Sequence, residues 1–316
     1  MAHRNIVTIG GSAGSIESLK RIVRELPDSF PAALFVVIHR TALEKSWLGQ
    51  VLSHTGPLRA GEALDNERVE VGRIYIAPPD FHLLVAEDHI HLTRGPKEGL
   101  HRPSINMTFR SAALAHQDRV IGVLLSGMLD DGASGLWEIV HHGGISIVQH
   151  PDEAQFPSMP LQALKDVPIN YKLRAAEIAP RLLQLTNGRR LAESEAEDFI
   201  NDILPERFSG FTCPECRGPL FEHHKTPIEF RCRTGHIFPL GTLIAESAST
   251  RERKMYEAIV SLEEGSDIAE YAAKMAEPGE KRRFLAEAQE LRRCALAVRK
   301  LIEQRKASLC DENVPQ

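Results

Sequence analysis

A short apolar run that ends in a glycine-rich turn restricts the fold of this chain more than any other feature. The run covers residues 6–9 (IVTI), and residues 10–14 (GGSAG) follow it directly. A strand that is apolar throughout predicts burial on both faces, as in a parallel sheet covered by helices. Glycines two residues before and after Ser12 remove Cβ atoms that would collide in a sharp turn. We therefore expect Ser12 on a turn between a buried strand and a helix.

Two kinds of site fit this turn. A serine at a helix N-terminus is the arrangement of a nucleophile elbow, where free N–H groups stabilise an oxyanion. A glycine-rich loop between a strand and a helix also binds phosphate groups. The spacing is not G-x-G-x-x-G, and no G-K-[ST] follows. The five residues alone leave both the serine nucleophile and the anion loop open.

Apolar runs alternate with helical patterns over about the first 185 residues, which predicts an α/β domain with a doubly wound, mostly parallel sheet. The further candidate strands are 34–38, 74–77, 120–125 and 145–148, with an antiparallel hairpin of 83–85 and 90–92 beside them. Helices are expected around 16–25, 104–115 and 132–141.

Composition excludes several classes of protein. Hydrophobic residues make up 42% of the chain and charged residues 26%, as in ordinary globular proteins. The sequence has no apolar run near the roughly 18 residues of a membrane span and no secretory leader pattern, so we expect a cytoplasmic protein without membrane insertion. A net charge of −5 argues against a nucleic-acid partner.

Polar side chains follow the predicted strands at the same edge of the sheet. His39 ends the strand 34–38, and Asp130 and Asp131 come after the strand 120–125. Because the carboxyl ends of parallel strands meet in one crevice, Ser12 is expected near these residues. A serine, a histidine and a carboxylate from three strand ends indicate a catalytic triad.

Five segments, in the same order, resemble the catalytic domain of CheB, the chemotaxis protein-glutamate methylesterase. They are residues 9–15 (IGGSAGS), 36–39 (VVIH), 75–83 (YIAPPDFHL), 102–106 (RPSIN) and 125–132 (LSGMLDDG). The resemblance covers about residues 4–185. It implies a Rossmann-like methylesterase domain that hydrolyses γ-glutamyl methyl esters on receptor signalling helices, with a related deamidation of glutamine.

The resemblance also implies the role of each site residue. Ser12 matches the nucleophile and His39 the base. Asp131 matches the orienting carboxylate, because the family pattern G-M-x-x-D-G places that aspartate directly before the last glycine. Asp130 is expected to be a solvated loop carboxylate.

Two backbone N–H groups, those of Ala13 and Met128, are what the resemblance offers as oxyanion donors. Catalysis of this kind needs no cofactor. In the familiar chemotaxis enzyme a receiver domain precedes the catalytic unit, whereas here the catalytic motif starts at residue 10. We therefore expect a stand-alone form without a receiver domain.

Three of the five cysteines belong to a metal-binding pattern. Cys213 and Cys216 form C-x2-C, and Cys232 and His236 follow as C-x3-H after fifteen intervening residues. Two such knuckles supply four ligands in tetrahedral positions around zinc. Since four protein ligands fill the coordination shell, the sequence predicts a structural zinc in a small ribbon-like module.

The C-terminal part is rich in charged residues and good helix formers, with a break near residues 278–279. An apolar stripe consists of Phe284, Ala288, Leu291, Ala295, Val298 and Ile302. It indicates a helical hairpin that packs on itself or on the zinc module, or alternatively a coiled coil that binds a partner such as a helical receptor or kinase.

The predicted organisation has four parts. They are a catalytic domain (1–186), an acidic linker (187–208), a zinc-ribbon-like module (209–240) and a helical hairpin or coiled-coil tail (241–310). The expected function is that of a serine hydrolase which removes glutamate γ-methyl esters from a chemoreceptor or related signalling protein, with a kinase or methyltransferase as pathway partners. The alternatives are a non-catalytic signalling scaffold and an esterase or deamidase with another substrate.

Overall fold

A computed structural model of the chain describes residues 4–40, 47–187, 203–225 and 227–311. The chain divides into two compact units, Met1–Leu243 and Ile244–Gln316. Within the described ranges, no helix is both long enough and apolar enough to cross a membrane.

The first unit contains most of the secondary structure. Its elements in chain order are β1 (Ile6–Gly11), α1 (Ile16–Glu25), β2 (Ala33–Ile38), α2 (Leu48–Thr55), β3 (Arg59–Glu62), β4 (Arg73–Ile76), β5 (His82–Val85), β6 (Ile90–Thr93), α3 (Ile105–His116), β7 (Val120–Leu124), α4 (Ala133–His141), β8 (Ile145–Gln149), α5 (Ser158–Asp166), β9 (Tyr171–Leu173), α6 (Ala175–Thr186), β10 (Ile203–Thr212), β11 (Pro219–Lys225), β12 (Ile228–Cys232) and β13 (Ile237–Pro239). Helix α7 (Leu240–Met275) begins in this unit, and α8 (Pro278–Asp311) follows it.

Seven parallel strands form the central sheet in the order β3-β4-β2-β1-β7-β8-β9. Strand β2 illustrates how both faces are covered, since Leu34 and Val36 join the core beneath α1, α2 and α6. Phe35 and Val37 point to the opposite core, which α3, α4 and α5 cover. Side chains alternate between the faces of a strand, so a strand buried on both sides is apolar at every position. The predicted doubly wound α/β fold is confirmed.

The central strands match the apolar runs of the sequence, but two edge strands do not. Strand β3 has the sequence RAGE with an exposed arginine, and β9 has only three residues. An edge strand is covered on fewer sides, so it does not need the continuous apolar run by which central strands are found in a sequence.

A second, antiparallel sheet joins β10, β11, β12 and β13 in chain order. Together with the first residues of α7 it forms a small module, residues 203–243, which we call the cysteine module. Its core contains Cys213, Leu220, Phe230, Cys232, Phe238 and Leu243. Strand β10 begins at Ile203, inside the range predicted as a linker, while residues 188–202 of that range lie outside the described residues. The predicted domain boundaries remain predictions.

An ion cluster joins the cysteine module to the α/β domain. Arg110 of α3 contacts Glu98 at 3.0 Å and Glu229 of β12 at 3.6 Å. Both carboxylates are only 1% exposed. Because two buried carboxylates share one guanidinium, the cluster carries an excess negative charge when both are ionised, and burial disfavours that state.

The second unit consists of α8 and the larger part of α7, connected by a short turn. The helices run antiparallel, since Ser266 of α7 bonds to the carbonyl of Ala288 at 3.0 Å and Arg299 pairs with Glu263 at 2.7 Å. From the predicted stripe, Ala288, Ala295 and Ile302 are buried. The predicted helical hairpin is confirmed, and Pro278 occupies the first position of α8, where its missing N–H costs nothing.

Replacing Glu229 by glutamine is expected to stabilise the protein at alkaline pH. Burial raises the pKa of Glu229 to about 7 from its ordinary value of 4.5, against the attraction of Arg110. A carboxyl group with a raised pKa in the folded protein contributes stability below its ordinary pKa, and this contribution is lost as the pH rises through about 7. Urea unfolding should therefore show a gain of roughly 2 kcal/mol for Glu229→Gln near pH 8.5 and no gain near pH 5.

The matched control is Glu87→Gln in the exposed turn between β5 and β6. Its difference from wild type should be small at both pH values. An equal effect of Glu229→Gln at both pH values would contradict the interpretation that this carboxyl group titrates near neutrality.

Candidate active site

The candidate site lies where the strand order of the sheet reverses. Strand β1 pairs with β2 on one side and β7 on the other, and all three are parallel. The N–H of His39, after β2, donates to the carbonyl of Gly11 at 3.1 Å. The N–H of Ser12 donates to the carbonyl of Ser126, after β7, at 2.9 Å. Ser12 therefore lies between the loops that follow β2 and β7, at the point where open α/β sheets bind their ligands.

The turn around Ser12 has the close contacts that the glycines predict. A Cβ atom on Gly10 would lie 2.3 Å from the Cγ2 atom of Ile105 in α3. Gly14 has a φ of +74°, which side chains with a Cβ rarely adopt. The hydroxyl of Ser126 donates to the carbonyl of Ala13 at 2.8 Å and fixes the turn to the neighbouring loop. The expected turn between strand and helix is thus present.

His39 and Asp131 form a buried pair beside this turn. The Nε2 atom of His39 lies 2.7 Å from Oδ2 of Asp131, and the two side chains are 7% and 4% exposed. The Nδ1 atom of His39 is buried and has no hydrogen-bond partner within the described residues. When Nε2–H donates to the carboxylate, Nδ1 is the basic nitrogen of the ring.

The carboxylate of Asp131 also caps helix α3. Its oxygens accept hydrogen bonds from the N–H groups of Ile105 at 2.8 Å and Asn106 at 3.1 Å, and from the hydroxyl of Ser104 at 3.1 Å. Burial would raise the pKa of Asp131, but the bond from His39, the histidine charges and the bond from Ile105 lower it to about 2. Asp131 is therefore ionised at neutral pH and stabilises a positive charge on His39.

Asn106 holds the loop that carries Asp131. Its Oδ1 atom accepts from the N–H groups of Gly132 at 2.9 Å and Gly135 at 2.8 Å, at the start of α4. The side chain of Asn106 thus links the first turn of α3 to the start of α4. These two hydrogen bonds fix the position of the neighbouring Asp131 relative to α3.

His101 stacks on His39. The ring centroids of His39 and His101 are 3.6 Å apart and their planes differ by 11°. Burial, with the charge of His39, lowers the pKa of His101 to about 4. A neutral ring therefore covers one face of His39 at physiological pH.

Asp130 differs from its expected role. It is 5% exposed, and it accepts hydrogen bonds from the N–H of Thr242, at 3.1 Å, and from the hydroxyl of the same residue. The expectation of a solvated loop carboxylate is wrong, because the first turn of α7 covers it. Burial raises the pKa of Asp130, while the bonds from Thr242 lower it.

The predicted oxyanion donors belong to Ala13, which follows Ser12 directly, and to Met128 in the loop after β7. Within the described residues, no hydrogen bond uses the backbone N–H of Ala13 or Met128. A Cβ atom on Gly127, next to Met128, would lie 2.9 Å from the Cβ of Ser12. The loop after β7 therefore lies close to Ser12, and the role of the two N–H groups stays a prediction.

The four predicted metal ligands come together in the cysteine module. The ligand atoms of Cys213, Cys216, Cys232 and His236 all lie within 4.8 Å of one another. Two sulfurs are 3.6 Å apart, and Nδ1 of His236 lies 3.4 and 3.7 Å from two sulfurs. A zinc tetrahedron with bonds of about 2.3 Å to sulfur and about 2.0 Å to nitrogen has edges of about 3.8 Å and about 3.5 Å. The residues therefore fit zinc.

The surroundings of the cluster also suit a cation. A hydrogen bond from Thr234 lowers the pKa of the Cys216 thiol to about 6, whereas burial raises that of Cys213 to about 12. The second ring nitrogen of His236, Nε2, faces a carboxylate oxygen of Glu215 at 3.5 Å. Metal-bound histidines commonly direct their other nitrogen to such a carboxylate.

Comparison with known proteins places this geometry in a family. The model of the CheB methylesterase family matches residues 7–182, which contain Ser12, His39 and Asp131. The chain belongs to the CheB methylesterase family. The prediction of a CheB-type enzyme of the ester hydrolase class is confirmed at the level of this family.

Individual members of the CheB methylesterase family give the same result. The chain is 33% identical over 180 residues to a putative protein-glutamate methylesterase/protein-glutamine glutaminase of Leptospira interrogans, covering 57% of this chain and 93% of that protein. It is 38% identical over 167 residues to protein-glutamate methylesterase/protein-glutamine glutaminase 2 of Methanosarcina acetivorans, covering 50% of this chain and 47% of the relative. The crystal structure of the Thermotoga maritima CheB methylesterase catalytic domain is similar, with a TM-score of 0.55, 34% identity, and coverage of 57% of this chain and 98% of that one.

Sequence reasoning missed several residues of this CheB-type site. The segment 102–106, which resembles the family, contains Ser104 and Asn106 and directly follows His101. The sequence does not show the contacts that these three residues make. Polar residues at the start of an α-helix are a signal for capping, yet a cap supplied by a distant aspartate has no local pattern. The stacking of His101 has no sequence signal at all.

Asn106→Ala is expected to destabilise the protein and disturb the His39–Asp131 pair. The substitution leaves the buried N–H groups of Gly132 and Gly135 without an acceptor, at a cost of roughly 2 to 4 kcal/mol. Urea unfolding measures the stability, and the ¹⁵N signals of the histidine side chains report on His39.

The control is Asn170→Ala, which removes an Oδ1 acceptor of Ser146 on β8, far along the sheet from Ser12. Both variants should lose stability, but only Asn106→Ala should shift the His39 signals. Unchanged His39 signals in Asn106→Ala would show that Asp131 is held by other contacts.

Proposed function

We propose that this chain is a serine esterase that removes γ-methyl esters from glutamate side chains of helical chemoreceptors or related signalling proteins. The observation that carries the proposal is the His39–Asp131 pair at 2.7 Å, next to the turn of Ser12 and with Nδ1 of His39 left without a partner in the described residues. A phosphate loop does not need this pair, so the pair favours a nucleophile over an anion site. The names of the relatives supply the substrate class.

The proposed reaction starts with proton transfer from Ser12 to Nδ1 of His39, while the serine oxygen attacks the ester carbon. Asp131 keeps the ring oriented through Nε2–H and stabilises the imidazolium. The N–H groups of Ala13 and Met128 bind the developing oxyanion, and one such donor is worth roughly 3 to 4 kcal/mol in the transition state.

The acyl-enzyme then forms and is hydrolysed. The C–O bond to the methoxy group breaks, and His39 returns its proton to the leaving oxygen, which gives methanol. Water attacks the acyl-serine with His39 as the base, and this step releases the glutamate carboxylate and restores Ser12. With glutamine in place of the ester, the same steps release ammonia, as the glutaminase part of the relatives' names suggests. None of these steps needs a cofactor.

The cysteine module is proposed to hold one structural zinc ion through Cys213, Cys216, Cys232 and His236. Bound zinc would tie the turn after β10 to the turn after β12, as in other small modules whose folding depends on the metal. A metal-binding set of reduced thiols is typical of a reducing compartment, so we propose the cytoplasm as the location.

Ser12→Ala is expected to abolish the esterase activity. Loss of a triad nucleophile lowers kcat by roughly 10⁴-fold or more. Methanol release from a methylated receptor fragment and labelling by a fluorophosphonate probe measure the effect. Ser53→Ala on α2 is the control, and it should behave as wild type.

The outcomes of this experiment separate the alternatives. Wild-type protein that neither releases methanol nor reacts with the probe would favour a non-catalytic scaffold. Probe labelling of Ser12 without methanol release from the receptor fragment, but with cleavage of small esters, would favour a different substrate.

Metal analysis is expected to find about one zinc ion per chain, bound through four protein ligands. Cys216→Ser should lower the zinc content and the thermal stability of the chain, whereas Cys294→Ser, outside the module, should change neither. Protein that is fully folded without any bound metal would contradict the proposed zinc site.

A further inference from the structure

One tight turn of the catalytic domain contacts both the cysteine module and the candidate active site. Gly99 and Leu100 have φ values of +55° and +71°, and the backbones of Glu98 and His101 pair across them at 3.0 and 3.3 Å. Two consecutive residues with positive φ are typical of a two-residue hairpin turn. The two backbone hydrogen bonds close the turn and tie Glu98 to His101.

The two sides of this turn have different neighbours. Leu100 packs against the core of the cysteine module, and the N–H of Gly99 donates to the carbonyl of Ile237 at 2.7 Å. The next residue, His101, stacks on His39 at 3.6 Å. Glu98, the first residue of the turn, is anchored by Arg110. The His101 ring that stacks on His39 is thus separated by a single peptide bond from Leu100, which packs against the core of the module.

A second link reaches the other partner of the triad. The carboxylate of Asp130 caps the first turn of α7 by accepting hydrogen bonds from the N–H and hydroxyl of Thr242. Asp130 is bonded covalently to Asp131, the residue that orients His39. The cysteine module therefore contacts the turn that carries His101 through the half-buried Leu100, and the loop that carries Asp131 through the buried Asp130–Thr242 contact.

We propose that the cysteine module sets the geometry of the triad, with Leu100 and Thr242 as positioning residues that act on His39 through His101 and on Asp131 through Asp130. This inference rests on the proposed esterase function. A misplacement of about 1 Å in a catalytic group costs up to roughly 100-fold in rate. Zinc fits this role because it would fix the two turns of the module, and the module fixes the two positioning residues.

Leu100→Ala is the first test, made in the whole 316-residue chain with its metal bound. It should lower kcat for methanol release by roughly tenfold and leave KM and the zinc content unchanged, since the substitution loosens the turn without touching substrate or metal. Leu183→Ala on α6 is the matched control, because Leu183 is also a half-buried leucine. It should lower thermal stability but keep kcat.

Variants of His101 connect this effect to His39. His101→Ala should lower kcat at least as much as Leu100→Ala, and His101→Phe, which keeps a flat neutral ring, should restore most of the loss. In the His101→Ala background, Leu100→Ala should have no further effect on kcat, because the link is already broken. Full additivity of the two substitutions would overturn the proposal, as would a Leu100→Ala variant with wild-type kcat.

Thr242→Val and metal removal test the second link and the module as a whole. Thr242→Val removes the hydroxyl donor to Asp130 and should lower kcat, whereas Thr55→Val at the end of α2 should not. Chelation that releases the zinc should lower kcat as far as the Leu100→Ala and Thr242→Val substitutions combined. Unchanged kcat after complete zinc release would overturn the proposal.

The ¹⁵N signals of the His39 side chain keep this test separate from that of the proposed function. Leu100→Ala and zinc release should both shift these signals, and Leu183→Ala should not, whether or not the chain hydrolyses an ester. If wild-type protein is inactive but the signals shift, the esterase function fails and the structural link stands. If wild type is active and the signals stay in place, the link fails alone.

Discussion

The rest of the candidate active site depends on the hydrogen bonds of the Asp131 carboxylate. It bonds to His39 and at the same time accepts two backbone N–H groups and a hydroxyl at the start of α3. A helix N-terminus stabilises negative charge, so the fold itself keeps this side chain ionised. The orientation of His39 is therefore set by the packing of α3 against the loop after β7.

The central sheet and the identity of the triad candidates follow from local sequence patterns. Continuous apolar runs mark the strands that are covered on both faces, and His39 directly follows one of these runs, while Asp131 comes six residues after another. The carboxyl ends of neighbouring parallel strands meet, so the order of the strands brings Ser12, His39 and Asp131 to one edge. The polar edge strand β3 and the short β9 have no such runs, and their pairing depends on neighbours distant in sequence.

Contacts between distant segments account for what the sequence did not predict. Asp130 has the composition of an exposed loop residue, but its burial depends on Thr242, more than one hundred residues later. Glu98 and Glu229 are charged residues, which are rarely buried unless paired, and in the fold both pair with Arg110. The cysteine spacing predicted four ligands that meet, yet spacing carries no information on which surface the module packs against.

The two neighbouring aspartates tie two separate parts of the fold together. Asp131 caps α3 within the catalytic domain, while Asp130 caps the first turn of α7 at the end of the cysteine module. Leu100 of the catalytic domain packs against the core of the cysteine module. A chimera that kept the catalytic domain and exchanged residues 203–243 would leave a buried carboxylate without donors and a leucine without a core. The turn, the aspartate pair and the module thus depend on one another for burial and hydrogen bonding, although they are far apart along the chain.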